Sequence, residues 1–390
     1  MLTVKVKTNQ FAENFRLASN TYGGNDKVCA VVKNHINSLS SRKGALDGPI
    51  MHALYNNGCR KFAVSQLSEF IDGIKRGYLW NYCNATIYCW TIDKCSDELA
   101  NALCMARYYD MNIVLYARNM NELKYLDSAQ RASGNDRVEL GIVVNIGMNR
   151  GGFGTDFNWR KLSQFKNLHH VMMHCWYEKP LTDSMSIDIA EHAVNAIYIQ
   201  WAVLKTEIAR YVNIKSSSFG NSYVSILAEI TGHLEWVENH IRLGARLLLG
   251  DYDGTVFSAT AYGKTLELTS QVTDLTTGEY GYDVSDDIAR PNSGNSQIIT
   301  VACGYSSLGV DPTRCKVTTK NGKIVTGTFK FAMNDVSVYE LNTSVKYDDI
   351  VGQDVTIFME DTTVPIQRRF TFGPMAMFEY KGENEDLWTI

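Results

Sequence analysis

The feature that most constrains this chain is an alternation, through its first two thirds, of short apolar runs with amphipathic stretches of helical length. Val28–Val32 (VCAVV) reads as a buried strand. Lys61–Ser65 (KFAVS), Ala85–Trp90 (ATIYCW), Asn112–Tyr116 (NIVLY), Val138–Asn145 (VELGIVVN), His169–Cys175 (HHVMMHC) and Tyr211–Lys215 (YVNIK) follow, with a weaker eighth segment near His240–Leu243. Between them, Gln66–Gly77 puts Leu67, Phe70, Ile71 and Ile74 on one face and stops at glycine. Asp97–Tyr109 and Asn121–Arg131 are similar, and Ile187–Arg210 is the longest such stretch. Strands separated by helix-sized crossovers pair in parallel. Eight such units predict an α/β chain built on a closed (β/α)8 TIM-type barrel, with an open doubly wound sheet as the competing architecture.

After about Gly250 the pattern changes to short alternating strands and turn signals. Thr265–Val272, Gln297–Cys303, Lys316–Thr319, Val325–Phe331 and Val355–Met359 are examples, and Asn321–Gly322 between two of them signals a hairpin. The expected organisation is therefore a barrel over residues 1–248 and a C-terminal, mostly antiparallel β domain over 249–390.

Composition narrows the function classes. A net charge of -4 argues against nucleic acid or an anionic membrane as partner. No apolar run is long enough to span a bilayer, and MLTVKVKTNQ lacks the apolar core of a signal peptide. The nine cysteines form no CxxC pair, so free thiols in a reducing cytoplasm are expected.

In a parallel barrel, reactive groups sit at the carboxyl ends of strands. Lys33 directly follows VCAVV, where desolvation would lower its pKa and sharpen it as a nucleophile toward carbonyls; a solvated strand-end lysine is the competing reading. Gly147–Gly154 (GMNRGGFG) follows the fifth strand and carries Arg150. Ser216–Ser222 (SSSFGNS) and Ile241–Gly244 (IRLG) follow the seventh and eighth, where barrels bind phosphate with backbone N–H groups and a helix N-terminus. His174 ends the sixth strand, while His169 and His170 are expected to pack. Their spacing with carboxylates suits no metal. Tyr88, Trp90, Met172 and Met173 are expected to fill the barrel.

Taken in order, these segments resemble the alanine racemase family across nearly the whole chain. VKVKTNQFAENF is similar to its first strand and helix, and CAVVK to the AVVK that carries its cofactor lysine, which gives Lys33. NIGMNRGGFG resembles DTGMNRLGF and gives Arg150; VMMHC gives His174; FGNSYVSIL gives Asn221 and Ser222. HIRLGARLLLGD resembles VRPGIALYG and gives Arg242, Gly244 and Ala245. VACGY gives Tyr305, and FKFAMNDVSV gives Met333.

The resemblance implies pyridoxal 5'-phosphate (PLP), an amino acid as small-molecule substrate, and a homodimer whose active sites are shared between subunits. Lys33 would hold the cofactor as a Schiff base and act as a base at Cα. Ser222, Gly244 and Ala245 would hold the phosphate, with Asn221 also at the cofactor. Arg242 would face the pyridine nitrogen with His174 positioning it. Arg150 would lie near the phenolic oxygen and the substrate carboxylate, with Tyr305 and Met333 at the substrate.

Departures from the family pattern are equally specific. KNHINSLS replaces KANAYGHG, so Asn37 stands where a tyrosine touches the phosphate. Val143 aligns with a modified lysine, Met333-Asn334 replaces an MD pair, and GYSSL replaces GYADG. The family's second base is a tyrosine in a YGxTY stretch, whereas this chain has the longer YGYDVSDDIARPNSGN. One gap placement puts Asp286 on that tyrosine and another puts Arg290 there; Tyr280 and Tyr282 fall too early in either. The leading expectation is a PLP-dependent racemase or epimerase with an altered second base. A PLP-dependent lyase, decarboxylase or biosynthetic enzyme on the same fold, and a non-catalytic PLP-binding homologue, stand as alternatives.

Overall fold

The architecture comes from a computed structural model that describes residues 2–32, 49–75, 79, 82, 84–91, 98–146, 151–175, 184–244, 246–247, 250, 262–263, 266–277, 282–283, 290–291, 297–304, 312–333, 336–358 and 376–381. Contacts divide the chain into two compact units, Gln10–Gly263 and, together, Met1–Asn9 with Lys264–Ile390. The chain opens on β1 (Leu2–Lys7), which belongs to the second unit.

In the first unit eight strands run parallel: β2 (Val28–Val31), β3 (Lys61–Gln66), β4 (Thr86–Thr91), β5 (Asn112–Ala117), β6 (Val138–Val144), β7 (Leu168–Met173), β8 (Ser216–Phe219) and β9 (Ile241–Leu243). Their order follows the chain from β2 to β8, and β9 lies on the other side of β2 with Cys29 opposite Arg242. The ring closes between β8 and β9: Asn239 N donates to Ser217 O at 3.2 Å, and Ser218 Oγ to His240 O at 2.8 Å. The expected closed barrel is therefore the one formed, not the open sheet.

Helices Pro49–Asn56, Leu67–Lys75, Glu98–Tyr108, Met120–Ser133, Ser184–Ile208 and Ser222–Thr231 lie between the strands. Local chemistry sets their ends. Asn119 caps Met120–Ser133 by accepting from Asn121 N and Glu122 N at 3.0 Å, and Gly134 ends it at φ +58. A 3-10 helix, Trp159–Gln164, takes the place of an α-helix between β6 and β7, where Phe153, Phe157 and Trp159 stack edge to face. No helix among the described residues is long and apolar enough to cross a membrane.

Two local expectations are corrected. The seventh strand is Ser216–Phe219, not Tyr211–Lys215: Tyr211 N and Val212 N still bond to Ile208 O as the long helix ends, and the ladder starts at Lys215 N on His169 O, 2.8 Å. Serines can form this buried strand because Ser217 Oγ reaches Asn239 Oδ1 at 3.0 Å and Ser218 Oγ reaches His240 O, so neither hydroxyl loses its partner on burial. His169 does not pack inward; it is half-buried, with Nδ1 3.0 Å from Asn213 O.

The barrel interior is filled by Cys29, Ala63, Tyr88, Val114, Tyr116, Val143 and Met172, with Trp90 packed against them. His170 joins this filling, edge to face with Tyr88 and Tyr116. Gly141 makes room: a Cβ there would fall 2.5 Å from the Tyr116 ring.

The second unit is a closed antiparallel barrel. Strand β10 (Leu266–Thr277) pairs with β17 (Asp354–Phe358) through its first half and β13 (Gln297–Val301) through its second, with a bulge between Val272 and Asp274. The ring is completed by β14 (Arg314–Thr318), β15 (Ile324–Ala332) and β16 (Ser337–Leu341), while β11 (Tyr282–Asp283) and β12 (Arg290–Pro291) form a separate two-stranded ladder. The Asn321–Gly322 hairpin signal falls between β14 and β15, with Gly322 at φ +78. Strand β1 joins antiparallel to β10 and parallel to β18 (Ala376–Lys381), so this unit draws on residues from both ends of the chain. A single boundary between 248 and 249 does not describe that return.

Candidate active site

The carboxyl ends of β7, β8 and β9 bring five of the candidate residues together. Arg242 lies mid-strand in β9 and is 4% exposed. Its guanidinium crosses the barrel mouth: Nη1 lies 2.8 Å from Met172 Sδ, and Nη2 donates to Gly220 O at 2.6 Å and to Met173 O. Its Cζ lies 5.4 Å from the centre of the Trp90 ring, within cation–π reach. Trp90 thus does more than fill space. That contact follows from barrel closure, which no periodicity in the sequence reveals.

Gly220 presents its carbonyl from φ +81, and a Cβ there would lie 2.7 Å from Val224 Cγ1. Only glycine fits that turn without strain. Asn221 then caps the helix Ser222–Thr231, its Oδ1 accepting from Tyr223 N at 3.0 Å and Val224 N at 3.1 Å. Its Nδ2 lies 3.4 Å from Nε2 of the half-buried His174. Ser222 Oγ accepts from Gly244 N at 3.1 Å, which ties the helix start to the end of β9. That hydroxyl keeps its own hydrogen to donate.

Behind the mouth, Arg246 is fully buried and pairs with both Glu229 oxygens, at 2.7 and 2.8 Å. Tyr22 OH also donates to Glu229, and the Tyr262 ring lies 4.1 Å from the Arg246 guanidinium. This cluster fixes Ser222–Thr231 against the helix Thr8–Tyr22. An arginine and a glutamate in otherwise apolar runs are its only trace in the sequence.

Cys175 follows His174, but burial pushes its thiol up to about 12, and burial likewise raises the Cys29 thiol. Neither offers a thiolate at neutral pH, so a cysteine–histidine nucleophile has no support here.

Lys33, Asn37, Arg150, Ala245, Asp286 and Tyr305 lie outside the described residues. The segments beside Lys33 and Arg150 are ordered by backbone bonds. Val32 N donates to Ala63 O at 2.8 Å. Gly152, at φ +133, brings Phe153 N to Val143 O at 2.8 Å, an approach a Cβ would block. Arg290 sits opposite Asp283 in the two-stranded ladder of Tyr282–Asp283 with Arg290–Pro291. Met333, in the second unit, is 55% exposed, with its N on Val336 O at 2.8 Å.

The fold and this mouth define a (β/α)8-barrel protein with a buried arginine beside a helix start at the carboxyl ends of its strands, accompanied by a closed β unit. The family model for the alanine racemase N-terminal domain matches residues 6–250, and the chain belongs to the alanine racemase family. No curated protein sequence matches it. Among solved structures it is similar to alanine racemase from Acinetobacter baumannii (TM-score 0.68, 16% identity, 98% of this chain and 99% of that one). It is also similar to alanine racemase from Bartonella henselae with covalently bound pyridoxal phosphate (TM-score 0.67, 16% identity, 97% and 99%). Histidine racemase from Leuconostoc mesenteroides subsp. sake is a further match (TM-score 0.63, 15% identity, 98% and 98%).

Proposed function

We propose that the protein is a PLP-dependent amino-acid racemase or epimerase with an altered second base. The observation that carries this reading is Arg242: a buried guanidinium, held by neutral acceptors at the strand ends, beside a helix start that keeps the Ser222 hydroxyl as a donor. This donor set fits a phosphorylated heterocycle, with an anion at the helix start and an acceptor nitrogen at the arginine.

When bound, PLP supplies an electron sink that acidifies the substrate's Cα–H. Lys33 holds it covalently and moves the Cα proton on one face. Ser222 donates to the phosphate, with Asn221, Gly244 and Ala245 shaping that end and Asn37 in place of a tyrosine. Arg242 faces the ring nitrogen. A guanidinium with a pKa above about 12 does not give up its proton, so it holds that nitrogen unprotonated. By keeping that nitrogen unprotonated, Arg242 would favour return of a proton to Cα, which suits racemisation. Arg150 meets the substrate carboxylate, with Tyr305 and Met333 at the substrate. Asp286 serves the opposite face, since Arg290, the other residue the gap placements bring there, would keep its proton as Arg242 does, and the enzyme acts in the cytoplasm as a homodimer with shared sites.

Loss of a tyrosine base costs about two to four orders of magnitude in general acid–base help, which slows such an enzyme without ending it. Single amino-acid enantiomers incubated with protein and PLP in deuterated water are expected to gain Cα deuterium and the opposite configuration. Exchange or product formation without inversion would point to a PLP enzyme of another outcome, and the absence of both exchange and inversion would overturn the proposal.

A further inference from the structure

We propose that the outward face of the helix Ser184–Ile208 is a self-association surface that pairs antiparallel with the same helix of a second copy of this chain. The helix runs 25 residues and is apolar on both sides. Its inward face, Ile187, Ala190, Val194, Trp201, Leu204 and Ile208, is buried. On the opposite side Met185, Ile189, Ile199 and Val203 are each at least 50% exposed. A surface helix ordinarily turns charged and polar groups to water. Met120–Ser133 does so, with Asn121, Lys124, Ser128 and Arg131 exposed.

The spacing of the exposed residues points to the occupant. Met185, Ile189, His192, Ala196, Ile199 and Val203 are all exposed and recur at alternate steps of four and three residues. Such steps average about 3.5 residues, the repeat of a coiled-coil seam, and here the seam runs for about 27 Å along the helix. A second helix with the same repeat interlocks with all six positions, and a second copy of this chain supplies one. In an antiparallel pair the two apolar positions of the repeat meet each other crosswise. Ile189 then meets Ile199 of the partner subunit, Ala196 meets the partner's His192, and Val203 meets the partner's Met185. Beside the seam, Asn195 meets the partner's Asn195 across the two-fold axis, where each amide can donate and accept. Asp188 falls beside the partner's Ala202, so no like charges are opposed.

The nearby charges of the helix are engaged elsewhere. Lys205 Nζ lies 2.6 Å from Glu238 and Glu191 lies 2.8 Å from His233. With Trp201 Nε1 donating to Glu238 at 2.9 Å, these ties fix the helix before it meets a partner, which lowers the entropy cost of association. The exposed face carries no lysine or arginine, so it lacks the basic flank that holds an amphipathic helix on a lipid surface. A contact of one helix per copy is small for a specific interface, so the pairing is expected to be reversible. It is independent of the PLP reading.

The test is sedimentation equilibrium of the full-length protein from about 1 to 100 μM, alongside Ile199→Glu and Asn195→Lys. The wild type is expected to reach twice the mass of Ile199→Glu within that range. Asn195→Lys sets two lysines against each other only in the antiparallel pair, and is expected to stay at the lower mass. Far-UV circular dichroism checks the fold of each variant, and Val203→Lys takes the place of an Ile199→Glu that does not fold. Equal masses for the wild type and the seam variant at every concentration overturn the proposal, whether or not the wild type binds phosphatidylcholine vesicles. A folded Asn195→Lys variant that keeps the wild-type mass overturns it as well. Failure to take up PLP would sink the functional reading while leaving these masses unchanged.

Discussion

Two charged residues inside the first barrel are stabilised in different ways. Arg242 is held by backbone carbonyls and a thioether, whereas Glu139, near the amino end of β6, is held by charge. Glu139 Oε2 lies 2.6 Å from His170 Nε2, and Oε1 meets Lys215 Nζ. The His170 hydrogen bond first, and Lys215 after it, bring the Glu139 carboxyl down to about 2 despite partial burial. The folded pKa is thus below the unfolded value of about 4.3. The resulting stability is present above about pH 4.3 and is lost as pH falls toward about 2. Glu139→Gln is expected to melt below the wild type at about pH 7, with the two converging as the pH is lowered. A difference in melting temperature that stays constant across that acid range would contradict this linkage.

At the scale of elements, the strand framework was readable where apolar runs and flanking helices agreed, as at Val28–Val31 and Asn112–Ala117. It failed at Ser216–Phe219, because a buried serine strand is stabilised by partners on other segments and leaves no apolar period. The site was legible in part for the same reason. Side chains such as Arg242, Ser222 and His174 carry sequence signals, whereas the carbonyls of Gly220 and Met173 that hold Arg242 carry none. Gly141 shows how tightly neighbouring strands specify one another. Gly141→Ala would drive a Cβ to 2.5 Å from the Tyr116 ring. The expected cost is about 1–3 kcal/mol by urea denaturation, as for other overpacked cores. Tyr116→Leu in the same chain should recover much of it, and a full, undiminished cost in the double variant would show that the clash is not the cause.

At the scale of the whole molecule, each unit is closed on itself: eight parallel strands in one, six antiparallel strands plus β1 and β18 in the other. Closure of the parallel ring brings Arg242 of β9 next to Cys29 of β2, the strand that leads to Lys33. The central claim is that this barrel holds PLP on that lysine. The most direct measurement is the visible absorbance of the purified full-length protein after PLP is added and unbound cofactor removed, compared with Lys33→Ala. The expected result is a retained visible band in the wild type that disappears in the variant. A wild-type protein that keeps no PLP, or a Lys33→Ala protein that retains the same band, would contradict the account.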